Sequence, residues 1–193
     1  MIVNSVKKIT NTPHLNLYDA DFTNIKGTRG NWYFVSRREE PLVNITKNVD
    51  VDVVVIVPLL KTFSIYNLVV LKQERIPIGD FIYEFPAGLI DKGEDFELAA
   101  ARELKEETGL FVKRFLRFDG PLFASPGLSD ESFIIAYVEA EGNINPREED
   151  TEILYPEIWD MNRIKKVLQE HPKIDCKLWL LISQFNVIGE IRI

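Results

Sequence analysis

The segment 88–110, GLIDKGEDFELAAARELKEETGL, constrains the fold more than any other part of the chain. Residues 96–108 are almost all good helix formers, and Gly109 follows them as a helix stop. Gly93 marks a loop before the helix, and Asp95 stands at its N-terminus, where acidic residues favour a helix. The segment therefore predicts a loop followed by a helix over 96–108.

The predicted helix carries three carboxylates on its inward face. At 100° per residue, Glu103, Glu106 and Glu107 share one side with the small and apolar positions Phe96, Ala99 and Ala100. The opposite, solvated side receives Glu94, Glu97 and Lys105. Like charges at these spacings repel by about 0.2–0.5 kcal/mol even on an exposed helix, and burial raises the cost. Mg²⁺ or Mn²⁺ is the simplest compensation, since both prefer carboxylate oxygens; a solvated surface helix is the alternative.

The complete spacing of the segment is G-x5-E-x7-R-E-U-x-E-E-x-G-U, where U is apolar, and every fixed position is filled. Seven specified residues at roughly 7 % usage each match by chance on the order of 10⁻⁸ per window. With this pattern the chain resembles the Nudix hydrolases. The resemblance implies an α/β/α sandwich with a mixed sheet and metal-dependent cleavage of a nucleoside diphosphate joined to another moiety. It further implies that Glu103 and Glu107 bind metal, that Glu106 assists through water, and that Arg102 orients a carboxylate.

Sequence around this segment resembles the ADP-ribose pyrophosphatases within that family. The lead-in Glu84-Phe85-Pro86-Ala87-Gly88 is similar to theirs, which implies that the Ala87 carbonyl is a metal ligand. Pro126, 16 residues after Leu110, marks the same subgroup. Arg75 ends a strand as in those enzymes, which implies contact with the diphosphate or with neighbouring acids. A surface salt bridge for Arg75 and an exposed strand position for Glu84 remain alternatives.

A polar, acidic loop at 142–152 is expected to supply the base that activates water. The resemblance implies an acid shortly before the next strand in this role, which selects Glu149, then Glu152, then Glu148. A solvated acidic loop is the alternative for each of them. Glu131, at the start of the preceding strand, is expected to face the same cleft.

Composition limits the partners of the chain. The 193 residues fit one domain with a small appendage, and the net charge of −7 argues against a nucleic-acid partner. Cys176 is the only cysteine, which excludes an intrachain disulfide and fits a reducing cytoplasm. No apolar run approaches the roughly 18 residues that span a membrane, so no membrane partner is expected.

The whole chain is predicted to divide into an N-terminal β extension, 1–48, and a hydrolase domain, 49–193. Within the extension, 1–30 is predicted to be irregular, and 32–38 and 42–47 to form a hairpin. Trp32 is expected either to stack on a base, across a dimer, or to lie in the core. The other predicted strands are 51–60, 67–73, 81–88, 111–118 and 132–141, with a turn at Gly120-Pro121 and helices over 160–170 and 175–187.

The sequence therefore predicts a homodimeric, Mg²⁺- or Mn²⁺-dependent diphosphatase for a nucleoside diphosphate sugar. ADP-ribose, cleaved to AMP and ribose 5-phosphate, is the first substrate. GDP-mannose or another nucleotide sugar is the alternative within the enzyme class. A nucleotide sensor without catalytic activity, built on the same fold, is the alternative of another class.

Overall fold

The computed structural model describes residues 1–43, 50–146 and 153–193, which form two compact units. The first unit comprises 1–53 and 121–133, and the second comprises 54–120 and 134–193. Three antiparallel strands make the sheet of the first unit, in the order β1 (Ile2–Lys8), β2 (Asn16–Thr23) and β3 (Arg29–Ser36).

This small sheet corrects the prediction for the N-terminal region. The segment 1–30, predicted to be irregular, contains β1 and β2, and β3 pairs with β2 from Asn16↔Ser36 to Thr23↔Arg29. Leu42 and Val43 lie in a bend and a turn, and the rest of the predicted second hairpin strand falls outside the described residues. Tyr18 and Phe34 stack with ring centroids 5.6 Å apart and form the core of this sheet.

A seven-stranded sheet forms most of the second unit. Its strands are β4 (Val53–Thr62), β5 (Ile65–Arg75), β6 (Asp80–Glu84), β7 (Ala87–Leu89), β8 (Phe111–Phe123), β9 (Ser132–Glu141) and β10 (Leu154–Trp159). The main order is β10-β5-β4-β9-β8, with β6 on β5 and β7 on β4. The fold is α/β, a mixed sheet with flanking helices, and this prediction is confirmed.

Two details of the sheet differ from the prediction. The segment expected as one strand over 81–88 is split into β6 and β7 by Phe85 and Pro86, whose carbonyl accepts the Ile56 N–H at 2.8 Å. The turn predicted at Gly120-Pro121 is wrong, since both residues lie within β8. Because β8 is at the end of the strand order, a proline without an N–H is tolerated there.

Helix α1 (Phe96–Thr108) has the predicted bounds and covers one face of the sheet. Its buried residues Ala99, Ala100 and Leu104 join a core cluster with Val54 and Ile56 of β4. Alternate β4 residues, also buried, point to the other face, as the two-residue period of a strand requires. The continuous β-branched run of β4 is explained by burial on both faces.

Helices α2 (Met161–Glu170) and α3 (Cys176–Ile188) follow β10, close to the bounds predicted for them. Asp160 and Asp175 cap them, accepting the backbone N–H of Arg163 and of Lys177 at 2.8 and 2.9 Å. In the described part of the chain, no helix has the length and apolar character needed to cross a membrane.

A buried carboxylate joins β5, β8 and β9 in the second unit. Glu139, whose side chain is 4 % exposed, accepts hydrogen bonds from Lys113 Nζ at 2.8 Å and Arg114 Nε at 2.9 Å. The Tyr66 hydroxyl adds a third at 3.3 Å. The Lys113 ammonium, followed by the Arg114 guanidinium, lowers the pKa of Glu139 to about 2. The ionised carboxylate is therefore the form that the fold stabilises.

We expect Glu139→Gln to lower the free energy of unfolding at neutral pH, because Lys113 and Arg114 lose their buried counter-charge. A folded-state pKa near 2, below the ordinary 4.5, gives stabilisation that is complete above pH 4.5 and is lost as the pH falls towards 2. Urea unfolding from pH 7 to pH 2 checks this, and the difference between wild type and variant should narrow with acidity. Glu141→Gln, at an exposed position of the same strand, is the matched control. A difference that does not change with pH contradicts the assignment.

Candidate active site

Local sequence signals fix both ends of α1. The Asp95 carboxylate accepts the Glu97 N–H at 2.8 Å, which satisfies one of the free donors at the helix start. Gly109 ends the helix in the left-handed conformation, φ 80°, and its N–H donates to the Lys105 carbonyl at 2.9 Å. The helix therefore presents its three predicted carboxylates at fixed positions.

Glu107 lies deepest of the three carboxylates. The residue is only 8 % exposed, and its Oε2 accepts the backbone N–H of Ala87 at 3.0 Å. Ala87 opens β7, so this bond connects the last turn of α1 to the strand that precedes it in the chain. The structure thus brings together Ala87, predicted from the lead-in, and Glu107, predicted from the helix.

Gly88 allows Glu103 to approach the backbone of β7. A Cβ placed on Gly88 would lie 1.9 Å from both Cδ and Oε1 of Glu103. No real Cβ contact is this short, so the Glu103 carboxylate occupies the space that any other residue at position 88 would fill. The first glycine of the segment is therefore required by close approach.

Arg102 binds the acidic groups around it. Its Nε and Nη2 donate to the two Glu94 oxygens at 3.1 and 3.0 Å, and Nη1 donates to Glu103 Oε1 at 2.6 Å. The same Nη1 lies 3.5 Å from Glu106 Oε2, and Nη2 also donates to the Leu89 carbonyl at 3.1 Å. Arg102 thus contacts three carboxylates, and its role in orienting one of them for catalysis stays a prediction.

The position of Glu94 corrects the helical-face prediction. Glu94 precedes the Asp95 cap, so it does not belong to the helix, and its carboxylate faces Arg102. Glu97 and Lys105 are exposed, as predicted. The helical wheel failed at Glu94 because a residue before the cap does not follow the 100° step.

Ion pairing shifts the pKa values of Glu94 and Arg102 in this cluster. The hydrogen bond from Arg102 is the main reason that the pKa of Glu94 is lowered, and the bond to Glu94 likewise raises the pKa of Arg102. Both groups therefore stay charged across the physiological range. Arg102 offsets part of the repulsion that the carboxylates of α1 would otherwise cause.

The oxygen donors of α1 are of the chemical type that a hard divalent cation prefers. Glu103, Glu106 and Glu107 offer carboxylate oxygens on one helical face, and the space at Gly88 keeps one of them close to the backbone. Within 1–43, 50–146 and 153–193, no three acidic, histidine or cysteine side chains are grouped closely enough to form a metal centre. Arg102 holds Glu103 and Glu106 instead.

Arg75 and Glu84 form an ion pair with each other. Arg75 Nε donates to Glu84 Oε1 at 2.8 Å, and the side chains are 40 % and 12 % exposed. Burial raises the pKa of Glu84, and the Arg75 guanidinium opposes that shift. Arg75 thus pairs with an acid, and Glu84 is not an exposed strand residue, while a role of either residue in substrate binding stays a prediction.

Trp32 and Pro126 line the same cavity of about 450 Å³ in the first unit. Trp32 is 49 % exposed, so it is not a core residue. The cavity walls are mainly apolar and include Phe22, Phe34 and Phe123. Two residues predicted separately as substrate contacts are therefore neighbours.

Glu131, also in the first unit, makes an ion pair with Arg37, whose Nε lies 2.9 Å from its Oε1. The predicted bases Glu148, Glu149 and Glu152 lie outside the described residues. Sequence reasoning missed Asn145, whose N–H donates to the Thr108 carbonyl at 2.9 Å. No local signal identifies a backbone contact between residues so far apart in the chain.

Comparison with known proteins adds independent evidence. The NUDIX domain model matches residues 49–178. The chain is 34 % identical over 128 residues to the putative nudix hydrolase 2 of Caenorhabditis elegans, covering 66 % of this chain and 55 % of that protein. It is 36 % identical over 106 residues to the ADP-sugar pyrophosphatase of Mus musculus, covering 52 % and 48 %. The chain thus spans about half the length of these relatives.

One solved structure is similar over most of the chain. The crystal structure of an ADP compounds hydrolase superposes with a TM-score of 0.65 and covers 87 % of this chain and 82 % of that chain. The sequence identity is 20 %, so this likeness shows a shared fold.

We expect Gly88→Ala to lower the free energy of unfolding by about 1–3 kcal/mol, because the new methyl group displaces the Glu103 carboxylate. Gly127→Ala is the matched control, since a Cβ at Gly127 meets nothing within 4 Å and its φ is not positive. Urea unfolding of both variants measures the difference. Equal stabilities would show that Glu103 moves aside without cost.

Proposed function

This chain belongs to the Nudix hydrolase family, and we propose that it hydrolyses the diphosphate bond of a nucleoside diphosphate sugar. ADP-ribose is the proposed first substrate, with AMP and ribose 5-phosphate as products. The observation that carries the proposal is the set of three α1 carboxylates held beside β7 by Arg102 and by the Ala87 N–H. The name of the mouse relative, an ADP-sugar pyrophosphatase, supports this substrate class.

Members of this family generally use a divalent metal ion, and we propose Mg²⁺ or Mn²⁺ for this chain. Glu103, Glu107 and the Ala87 carbonyl would hold it, and Glu106 would assist through water. Such an ion neutralises diphosphate charge and makes an attacking water more acidic. Hard oxygen donors are the ligands that both ions prefer.

The residues of the chain itself perform the positioning. The Ala87 N–H fixes one Glu107 oxygen, and Arg102 fixes one Glu103 oxygen, so both carboxylates are oriented by named donors. A loop acid, Glu149 first and then Glu152 or Glu148, takes the proton of the water that attacks phosphorus. The water oxygen forms a new P–O bond, and the electrons of the broken P–O bond pass to the bridging oxygen of the leaving phosphate monoester, so the two products are AMP and ribose 5-phosphate.

Substrate recognition is proposed for Trp32, Pro126, Arg75, Glu84 and Glu131. Trp32 and Pro126 line a mainly apolar cavity, which suits the flat face of a base. Arg75 would bind a diphosphate oxygen, with Glu84 holding its guanidinium, and Glu131 would contact the sugar. We further propose a homodimer, in which the 1–48 extension mediates association, and a cytoplasmic location, which the single exposed cysteine fits.

A panel of ADP-ribose, other ADP-sugars, GDP-mannose and dinucleotides, each with Mg²⁺ or Mn²⁺, tests the proposal by product identification. AMP with ribose 5-phosphate from ADP-ribose supports it. Preferential cleavage of GDP-mannose transfers the assignment to the second substrate. Metal-independent nucleotide binding without turnover identifies a sensor and overturns the proposal.

We expect Glu107→Gln to lower kcat/KM for ADP-ribose by roughly 100-fold, because a neutral amide is a poor ligand for a hard cation. Steady-state kinetics at saturating Mg²⁺ measures the loss. Glu97→Gln, on the exposed side of the same helix, should behave as wild type. Near-normal turnover by Glu107→Gln would exclude the metal role.

We expect Glu149→Gln to lower kcat by roughly 10²–10⁴-fold, with KM little changed, because it removes the proton acceptor. The acidic limb of the kcat–pH profile should disappear with it. Glu148→Gln and Glu152→Gln serve as controls in the same loop. If one of these controls loses the acidic limb and Glu149→Gln retains it, the base is assigned to that residue.

A further inference from the structure

The C-terminal turn of α1 contacts residue 145, which lies in the 142–152 loop just before its acidic residues. The Asn145 N–H donates to the Thr108 carbonyl at 2.9 Å, which satisfies one of the carbonyls left free at the helix end. A Cβ on Gly109 would lie 2.3 Å from the Asn145 carbonyl oxygen and 2.5 Å from its nitrogen. Backbone therefore packs directly on backbone here, two residues after Glu107.

This close approach is not a general property of a glycine cap. Gly189 ends α3 in the same left-handed conformation, with φ 85° against 80° at Gly109, and its N–H also bonds back one turn, at 2.8 Å. A Cβ at Gly189 meets nothing within 4 Å. The helix stop alone explains Gly189, whereas Gly109 is also required by Asn145.

Neighbouring residues hold the same stretch in place. Ile144 packs against the core cluster that contains Leu104 and Leu110. Thr108 is fully buried, and its hydroxyl donates to the Leu104 carbonyl at 2.6 Å and accepts the Leu110 N–H at 3.1 Å. The helix end that receives Asn145 is thus rigid.

The far side of the acidic loop is attached as well. The Ile153 carbonyl accepts the Glu74 N–H at 3.0 Å, and β10 then pairs with β5 from Leu154↔Gln73 onwards. The segment 147–152 is therefore bounded by two backbone attachments, one on α1 and one on β5. The first attachment is a hydrogen bond to the helix that carries the carboxylates.

We propose that the Gly109–Asn145 contact positions the acidic loop relative to the α1 carboxylates, so that Gly109 and Asn145 are positioning residues for hydrolysis. This inference rests on the proposed function, because it assigns the contact to the distance between a loop acid and the bond to be cut. A side chain at position 109 must push Asn145 away, since backbone atoms have no alternative rotamer. A misplacement of about 1 Å costs on the order of 100-fold in rate.

The experiment compares Gly109→Ala with Gly189→Ala, using ADP-ribose and Mg²⁺. Both variants place a Cβ at positive φ, so both should lose about 2–8 °C in Tm. Only Gly109→Ala should lose kcat, by roughly 100-fold, with KM little changed. An equal kcat in the two variants overturns the inference, because the contact would then be part of the helix stop and nothing more.

A second pair of variants keeps the test valid if Gly109→Ala fails to fold. Asn145→Pro removes the N–H that binds Thr108 and leaves α1 unaltered, whereas Asn145→Ala keeps it. We expect kcat to fall in the proline variant. In the alanine variant, the amide of residue 145 should stay as protected from hydrogen exchange as in wild type. A proline variant with wild-type kcat would contradict the inference.

Amide hydrogen exchange separates this inference from the proposed function. In wild type the amide of residue 145 should exchange slowly, and Gly109→Ala should accelerate exchange over 142–146 while Gly189→Ala does not. If wild type hydrolyses nothing in the panel, the proposed function fails, and the exchange result still decides whether the contact exists. Slow exchange over 142–146 in Gly109→Ala would show that the contact tolerates a side chain at position 109. That result would overturn the inference.

Discussion

The repulsion among carboxylates on the inward face of α1 determines how the second unit is arranged around it. Glu103, Glu106 and Glu107 would destabilise an ordinary amphipathic helix at these spacings. Three features oppose this repulsion: the Arg102 guanidinium, the Ala87 N–H, and the lack of a side chain at Gly88, which leaves room for the Glu103 carboxylate. Arg102 and Gly88 belong to the same 23-residue segment as the carboxylates, and Ala87 directly precedes it, so the segment contains both the electrostatic cost and most of its compensation.

The sheet contributes what this segment lacks, which is a fixed position. Pro86 accepts the Ile56 N–H, so β7 is attached to β4, a strand buried on both faces, and Ala87 and Gly88 keep their places beside α1. The small residues Ala99 and Ala100 bring the helix close to β4 and β9. The reactive groups thus lie on a rigid layer, while the predicted base belongs to a loop attached at two points.

Sequence predicted this molecule best where short-range rules apply. The bounds of α1 and β9 are correct because a cap and a continuous apolar run are local signals. Prediction failed where the partner is distant: β2 reads as a polar stretch until β3 pairs with it, and Glu94 turns towards Arg102 because it precedes the cap. The contact of Gly109 with Asn145 had no local signal at all.

The division of the chain has a consequence for synthesis on the ribosome. The first unit is completed by 121–133, where Val35 donates its N–H to the Leu128 carbonyl at 2.8 Å, but residues 54–120 must be made in between. At about 5–20 residues per second this delay lasts roughly 3–13 s. During that time the Val35 N–H at the edge of β3 lacks its Leu128 acceptor, and an unpaired strand edge is a condition for mispairing with another nascent chain. The interval before 121–133 is made is therefore a period in which the first unit is incomplete.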